Sequence, residues 1–107
     1  MTYSFVVYVT GSNNRSNSAS TNLRSLCDRH LGEGAYEIEV VDVLEDPDRA
    51  NRDRVIATPT VIRLVPLPRR RVIGDLSVPD QVVHALDLPP VAQEASVDSL
   101  LGSDAPD

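Results

Sequence analysis

What this chain has little of narrows its chemistry before any motif is read. It holds one cysteine, Cys27, which excludes an intramolecular disulfide and any two-thiol redox centre. It has no lysine: its 10 strongly basic side chains are all arginine, set against 16 carboxylates for a net charge of -6. That balance repels nucleic acid and anionic membrane, so either contact would need a local basic patch. Neither is expected, and the bulk charge argues for protein partners. No apolar run approaches the roughly 20 residues a bilayer-spanning helix needs, and no signal pattern precedes the first strand-like run. A cytoplasmic location is therefore expected. There is no glycine-rich phosphate loop, and no spacing of Ser, His and Asp aligns a nucleophile. No catalytic residue, cofactor or metal ligand set is nominated, and the chain reads as a non-enzyme.

What is present fits one domain of 107 residues without internal repeats. Character changes at Pro89-Pro90, which divides the chain into a folded body at 1–88 and a tail at 89–107. The tail carries Glu94, Asp98, Asp104 and Asp107 with no basic residue, and is rich in Ala, Ser and Asp. Such a segment buries too little surface to offset its ordering entropy, so disorder is expected there, with at most a transient helical turn at 97–101.

Within the body, residues 3–10 are β-branched and aromatic, with Phe5, Val7 and Val9 on one face and Val6 and Tyr8 on the other. Apolar groups on both faces mark a central strand. After the polar stretch 11–20, Leu23, Leu26, Cys27, His30 and Leu31 recur at helical spacing until Gly32 and Gly34. This predicts a helix with a firm second half and a weak start. Residues 36–44 read as a second strand with Ile38, Val40 and Val41 as its apolar positions, and Asp46-Pro47 supplies a cap and first-turn proline for a short polar helix. Strands are predicted at 60–65 and 71–73, joined by Pro66-Leu67-Pro68. Ser77-Val78-Pro79-Asp80 predicts a capping box for a last helix with a Val82, Val83 and Leu86 stripe. The order βαβαββα is an α/β, thioredoxin-like topology, and Ala57-Thr58-Pro59-Thr60 places an Xaa-Pro pair at the strand entry where that fold carries a loop proline.

That scaffold usually carries a thiol between its first strand and first helix, but here the segment reads Gly11-Ser12-Asn13-Asn14-Arg15-Ser16. Cys27 sits about eleven residues on, among leucines, where a buried inert thiol is the ordinary outcome. Cys27 and His30 share a helix face but lack a third ligand, and His84 reads as a helix-surface residue. The mismatch between a redox scaffold and its missing thiols points to binding.

Across residues 3–88 the sequence resembles the bacterial KaiB circadian-clock family. The resemblance rests on Tyr8-Val9-Thr10-Gly11, Asn22-Leu23-Arg24, Ile38-Glu39-Val40-Val41-Asp42-Val43, Ala57-Thr58-Pro59-Thr60 and Arg70-Arg71-Val72-Ile73-Gly74-Asp75-Leu76-Ser77 in that family's order and spacing. It implies a non-enzymatic regulator that binds a KaiC-like ATPase ring and competes with a sensor histidine kinase carrying a related domain, with KaiA binding the least secure inheritance. It also implies two folds: a βαββααβ ground state, usually tetrameric, and a thioredoxin-like monomer competent to bind. Binding would then scale with the competent fraction.

The resemblance marks Arg54, Arg63, Arg70 and Arg71 as partner-binding, and with Arg69 they predict one positive face on an acidic chain. The alternative is a solvated hairpin edge whose arginines discourage strand pairing. Tyr3, Pro59, Gly74, Asp75, Ala85 and Asp87 are marked as structural or fold-switch positions. Pro59 is expected cis, as a rigid turn or as a position that a fold change would use; Gly74 and Asp75 are expected to form the turn into the last helix. Ala85 replaces a glycine common in the clock members and favours helix by up to ~1 kcal/mol, which predicts a thioredoxin-like resting state. The first helix is more polar than the family's at Asn17 and Ser20, which predicts either a frayed start or a surface for a different partner. A second reading is a thioredoxin-like scaffold in stress or two-component signalling with no role in rhythm.

Overall fold

Seven elements follow the predicted order: β1 (Tyr3–Val9), α1 (Asn14–His30), β2 (Tyr36–Asp42), α2 (Pro47–Arg52), β3 (Thr60–Val65), β4 (Arg70–Ile73) and α3 (Pro79–Leu86). They come from a computed structural model that describes residues 2–11 and 13–91. Most of the segment read as an acidic tail, residues 92–107 with the turn at 97–101, lies outside the described residues.

The sheet order is β2-β1-β3-β4. β1 runs parallel to β2 from Tyr3 opposite Tyr36 to Val9 opposite Asp42, and antiparallel to β3, with Val7 opposite Val61. β3 and β4 form an antiparallel hairpin with Arg63 opposite Arg70. β1 is central because both its faces are apolar. Phe5, Val7 and Val9 pack with Leu23, Leu26 and Cys27 of α1 and Val82 and Leu86 of α3, while Val6 and Tyr8 pack with Val41, Ala50 and Ile62 on the α2 side.

The first helix is firmer at its start than its composition predicts. The Asn13 side chain accepts the Ser16 N–H at 2.9 Å and so caps α1. Ser16 and Ala19 are buried, so small side chains replace the missing apolar ones and let the first turns lie close to the sheet. At the other end, Gly32 takes φ +94° and its N–H returns to the carbonyls of Cys27 and Asp28, a left-handed stop that glycine adopts without penalty. Asp46 caps α2 as predicted, accepting the Arg49 N–H.

Val40 is 53% exposed on β2, an edge strand, whereas Val41 beside it is buried. One expectation is corrected. Ser77 does not cap α3: Val78 is the N-cap, at φ -114° and ψ 93°, with no side-chain capping bond. The ring of Pro79 holds Val78 extended, and the Ser77 N–H is taken by the Asp75 carboxylate at 3.1 Å. The helix ends at Asp87, whose φ of 53° returns its N–H to the His84 carbonyl.

Candidate partner-binding surface

The predicted arginine face divides into three kinds of side chain. Arg63 leaves it altogether: it is 3% exposed, on the side of β3 that faces α3. One terminal nitrogen donates to the Leu86 and Asp87 carbonyls at 2.8 and 3.2 Å, and the other to Pro68 at 2.8 Å. A guanidinium is thus placed where α3 presents its unpaired carbonyls and the negative end of its dipole. In this conformation Arg63 holds the last helix and is closed to partners, which corrects its assignment to an exposed surface. Its Nε is buried without a hydrogen-bond partner.

Arg69 and Arg71 form the second kind. Arg71 donates to the carbonyls of Asp53 and Arg54 at 2.6 and 3.1 Å, and Arg69 pairs with the Asp53 carboxylate at 3.1 Å. They clamp the residues following α2 to the β3–β4 hairpin. Tyr8 reaches the other oxygen of the same carboxylate, its hydroxyl donating to Asp53 Oδ2. Burial, and then Asp53, push the Tyr8 hydroxyl up to about 12. Burial works to raise the Asp53 carboxyl, but hydrogen bonds from Tyr8 and Arg69 hold it below its ordinary range. Sequence reading missed Tyr8 and Asp53 as a pair. The available signal was a hydroxyl on an otherwise apolar central strand, which needs a partner when buried.

Arg54 and Arg70 are the third kind. Both are exposed, and among the described residues neither side chain has a hydrogen-bond or ion-pair partner. Arg54 takes φ 56°, which turns the chain out of α2 so that its carbonyl meets Arg71. The clamp therefore fixes the backbone from which Arg54 projects, while Arg70, next to Arg71 in β4 and opposite Arg63, projects toward the other face of the sheet.

The remaining marked residues are distributed along the fold. The Thr58–Pro59 bond is cis, as expected. The Gly74 N–H donates to the Pro59 carbonyl at 2.9 Å, and Gly74 has φ +124°, where a side chain is strained although space is open. Asn22 donates to the Asp75 carbonyl at 2.8 Å, so α1 holds the turn that leads into α3. Tyr3 stacks on Phe5 with ring centroids 6.2 Å apart. Ala85 lies half-buried in α3, and Asp87 ends it.

Cys27 and His30 are engaged in structure, while His84 is exposed on α3 as expected. Cys27 is fully buried, and burial followed by Asp28 pushes its thiol up to about 12; a thiol raised in this way is a poor nucleophile at neutral pH. The His30 Nδ1 lies 2.7 Å from the Pro89 carbonyl, tying the exit of α3 to α1. Among the described residues no group of three or more His, Cys, Asp or Glu is placed to hold a metal ion, and no helix is long and apolar enough to cross a membrane.

A four-stranded sheet ordered β2-β1-β3-β4, with a cis loop proline and no thiol between β1 and α1, defines a thioredoxin-like fold. Solved structures share the fold: the N-terminal domain of Synechococcus elongatus SasA (TM-score 0.66, 15% identity, 78% of each chain) and mitochondrial thioredoxin 3 of Saccharomyces cerevisiae (TM-score 0.61, 17% identity, 79% of this chain and 76% of that one). The KaiB domain matches residues 6–88. The chain is 40% identical over 84 residues to circadian clock protein KaiB3 of Synechocystis sp., covering 78% of this chain and 81% of that protein. It is 41% identical over 87 residues to the circadian clock oscillator protein KaiB of Prochlorococcus marinus, covering 81% and 74%. The chain belongs to the KaiB family, a family of circadian clock regulators and not of known enzymes.

Proposed function

We propose that this protein is a cytoplasmic, non-enzymatic regulator that binds a KaiC-like ATPase ring through Arg54 and Arg70, with Arg69 and Arg71 holding the surface in shape. The observation that carries this is the division among the arginines of the β3–β4 hairpin and the residues after α2: in a chain of net charge -6, Arg54 and Arg70 are the two of that group left exposed and unpaired among the described residues, on a backbone braced by Arg69 and Arg71. Positive groups so placed steer association with an acidic partner and set its orientation. A histidine kinase whose sensor domain has the fold of the SasA N-terminal domain would present a similar scaffold to the same ring and compete for it. A KaiA-type partner is not part of the proposal. The thioredoxin-like fold is proposed as the resting state, because Ala85 stabilises α3 where glycine would weaken it.

Size-exclusion chromatography of the protein with a KaiC-like hexamer and ATP tests the reading. A co-eluting complex, displaced by the kinase sensor domain and lost in an Arg54→Glu, Arg70→Glu variant, is the expected result. Absence of a complex with the wild-type chain would exclude the ring as a partner and favour a signalling role unconnected with rhythm.

A further inference from the structure

Charge is unevenly spread along the chain. Beyond Val91 lie four of the 16 carboxylates, Glu94, Asp98, Asp104 and Asp107, and none of the 10 arginines. The point from which that segment continues is well fixed. The Asp87 carbonyl accepts from Arg63 at 3.2 Å, the Leu88 N–H returns to the Val83 carbonyl at 3.0 Å, and the Pro89 carbonyl lies 2.7 Å from the His30 Nδ1. These bonds hold the chain against the groove between α1 and α3, which Pro90 and Val91 line together with Arg29, Asp80 and Asp87.

Two free arginines stand at this end of the sheet. Arg29 is exposed in the last turn of α1, on the same groove as Val91. Arg70 is exposed at the first position of β4, opposite Arg63. Because Arg63 reaches the carbonyls that end α3, Arg70 projects from the hairpin on the α3 side. Neither Arg29 nor Arg70 has a hydrogen-bond or ion-pair partner among the described residues. At no more than about 3.5 Å per residue, Glu94 lies within about 10 Å of Val91 and Asp98 within about 25 Å. Asp80 and Asp87 repel carboxylates from the floor of the groove, which leaves Arg29 and Arg70 as the groups toward which the segment turns.

We propose that residues 92–107 fold back on their own chain as an acidic ligand for Arg29 and Arg70, so that a partner reaching Arg70 must first displace them. An exposed ion pair is weak by itself, but tethering gives the segment an effective concentration of about a millimolar, and four carboxylates share two guanidiniums. Such a contact shields Arg70 from weakly acidic surfaces and yields to a partner that engages Arg70 more strongly, whose apparent affinity falls with the fraction of chains in which the segment is bound. The fold-back contact stands apart from the ATPase-ring reading; only its displacement by the ring rests on that reading.

A nitroxide attached to Ser103→Cys in the full chain reports both steps, since the buried Cys27 thiol is closed to the labelling reagent. In the free protein the NMR signals of Arg29 and Arg70 are expected to lose intensity while that of Glu39, on the α2 side, does not. The loss should disappear in 1 M salt, where the screening length falls to about 3 Å, and in a variant carrying Arg29→Gln and Arg70→Gln. Loss centred instead on Leu26 and Val83 of the groove, loss seen on a second, nitroxide-free copy mixed with the first, or an even loss that salt leaves unchanged would each overturn the proposal. Ser99→Cys repeats the measurement beside Asp98. A KaiC-like hexamer with ATP should then narrow the nitroxide lines in electron paramagnetic resonance as the segment is released. Lines that stay unchanged or broaden in a formed complex would overturn displacement, whereas failure of any complex to form would sink the ring reading and leave the fold-back contact to be decided by the NMR pattern.

Discussion

The two faces of the sheet are built on different principles. The face toward α1 and α3 is mainly apolar, with Phe5, Val7, Leu23, Cys27, Val61 and Leu86 each 1% exposed or less and the buried Arg63 guanidinium at the end of α3 as its main charged group. The face toward α2 has a smaller cluster of Val6, Tyr8, Val41, Ala50 and Ile62, and continues outward into the polar network of Tyr8, Asp53, Arg69 and Arg71. Apolar burial is non-directional and supplies most of the stability. Hydrogen-bonded charges contribute less energy but fix geometry. The first face holds the fold, and the second fixes the backbone after α2 and along β4 from which Arg54 and Arg70 project.

The contrast breaks most visibly at the core. Leu23→Ala should cost about 2–5 kcal/mol through lost burial and the cavity left behind, read as a lower denaturant midpoint with unchanged slope. Arg63→Leu is expected to cost about 2–3 kcal/mol, since a charged donor to the carbonyls at the end of α3 is lost from a buried site. Hydrogen exchange should quicken mainly in α3. If both variants lost the same protection everywhere, α3 would not be held by Arg63 in particular.

Arg63 also shows where sequence reading stops. The elements were legible because strand alternation, the Asp46 cap and the glycine stops are local signals, and they gave β3 at its observed limits; the Asn13 cap of α1 was not read. Which arginines face water is not local. Arg63, Arg70 and Arg71 look alike in sequence, yet one is sealed under a helix by the Arg63–Arg70 register of the hairpin, one is free, and one reaches across to the residues after α2. The Ser77 capping box failed for a related reason: Asp75, two residues upstream, competes for the Ser77 N–H.

A smaller effect sharpens the second face. Tyr8→Phe should cost about 1.5 kcal/mol, the value of a hydrogen bond to a charged partner. It should also let the Asp53 carboxyl titrate nearer its ordinary 3.8. Because the folded state holds that carboxyl below its ordinary range, its contribution is fully present at neutral pH and lost as pH falls below about that value. Wild type should therefore show an acid-dependent loosening of the β4 hairpin that Tyr8→Phe shifts toward higher pH, followed by the Asp53 carboxyl signal in NMR. An unmoved titration would detach Tyr8 from the clamp. Ala85→Gly is expected to cost about 1 kcal/mol in α3, and spectra of that variant retaining wild-type helix content throughout would remove Ala85 as a determinant of the resting fold.

The smallest stability effect belongs to the residue proposed to matter most for binding. Arg70→Glu changes an exposed side chain with no internal partner among the described residues, so stability should move by no more than about 0.5 kcal/mol. Association with a KaiC-like hexamer should nevertheless weaken strongly, with the change concentrated in the association rate and its salt dependence. Arg71→Glu is the informative contrast. It removes two bonds to the carbonyls of Asp53 and Arg54, so it should lower stability and binding together. Equal loss of binding without any loss of stability in Arg71→Glu would mean that Arg71 meets the partner directly and that the clamp is incidental; unchanged binding in Arg70→Glu would move the contact surface away from β4.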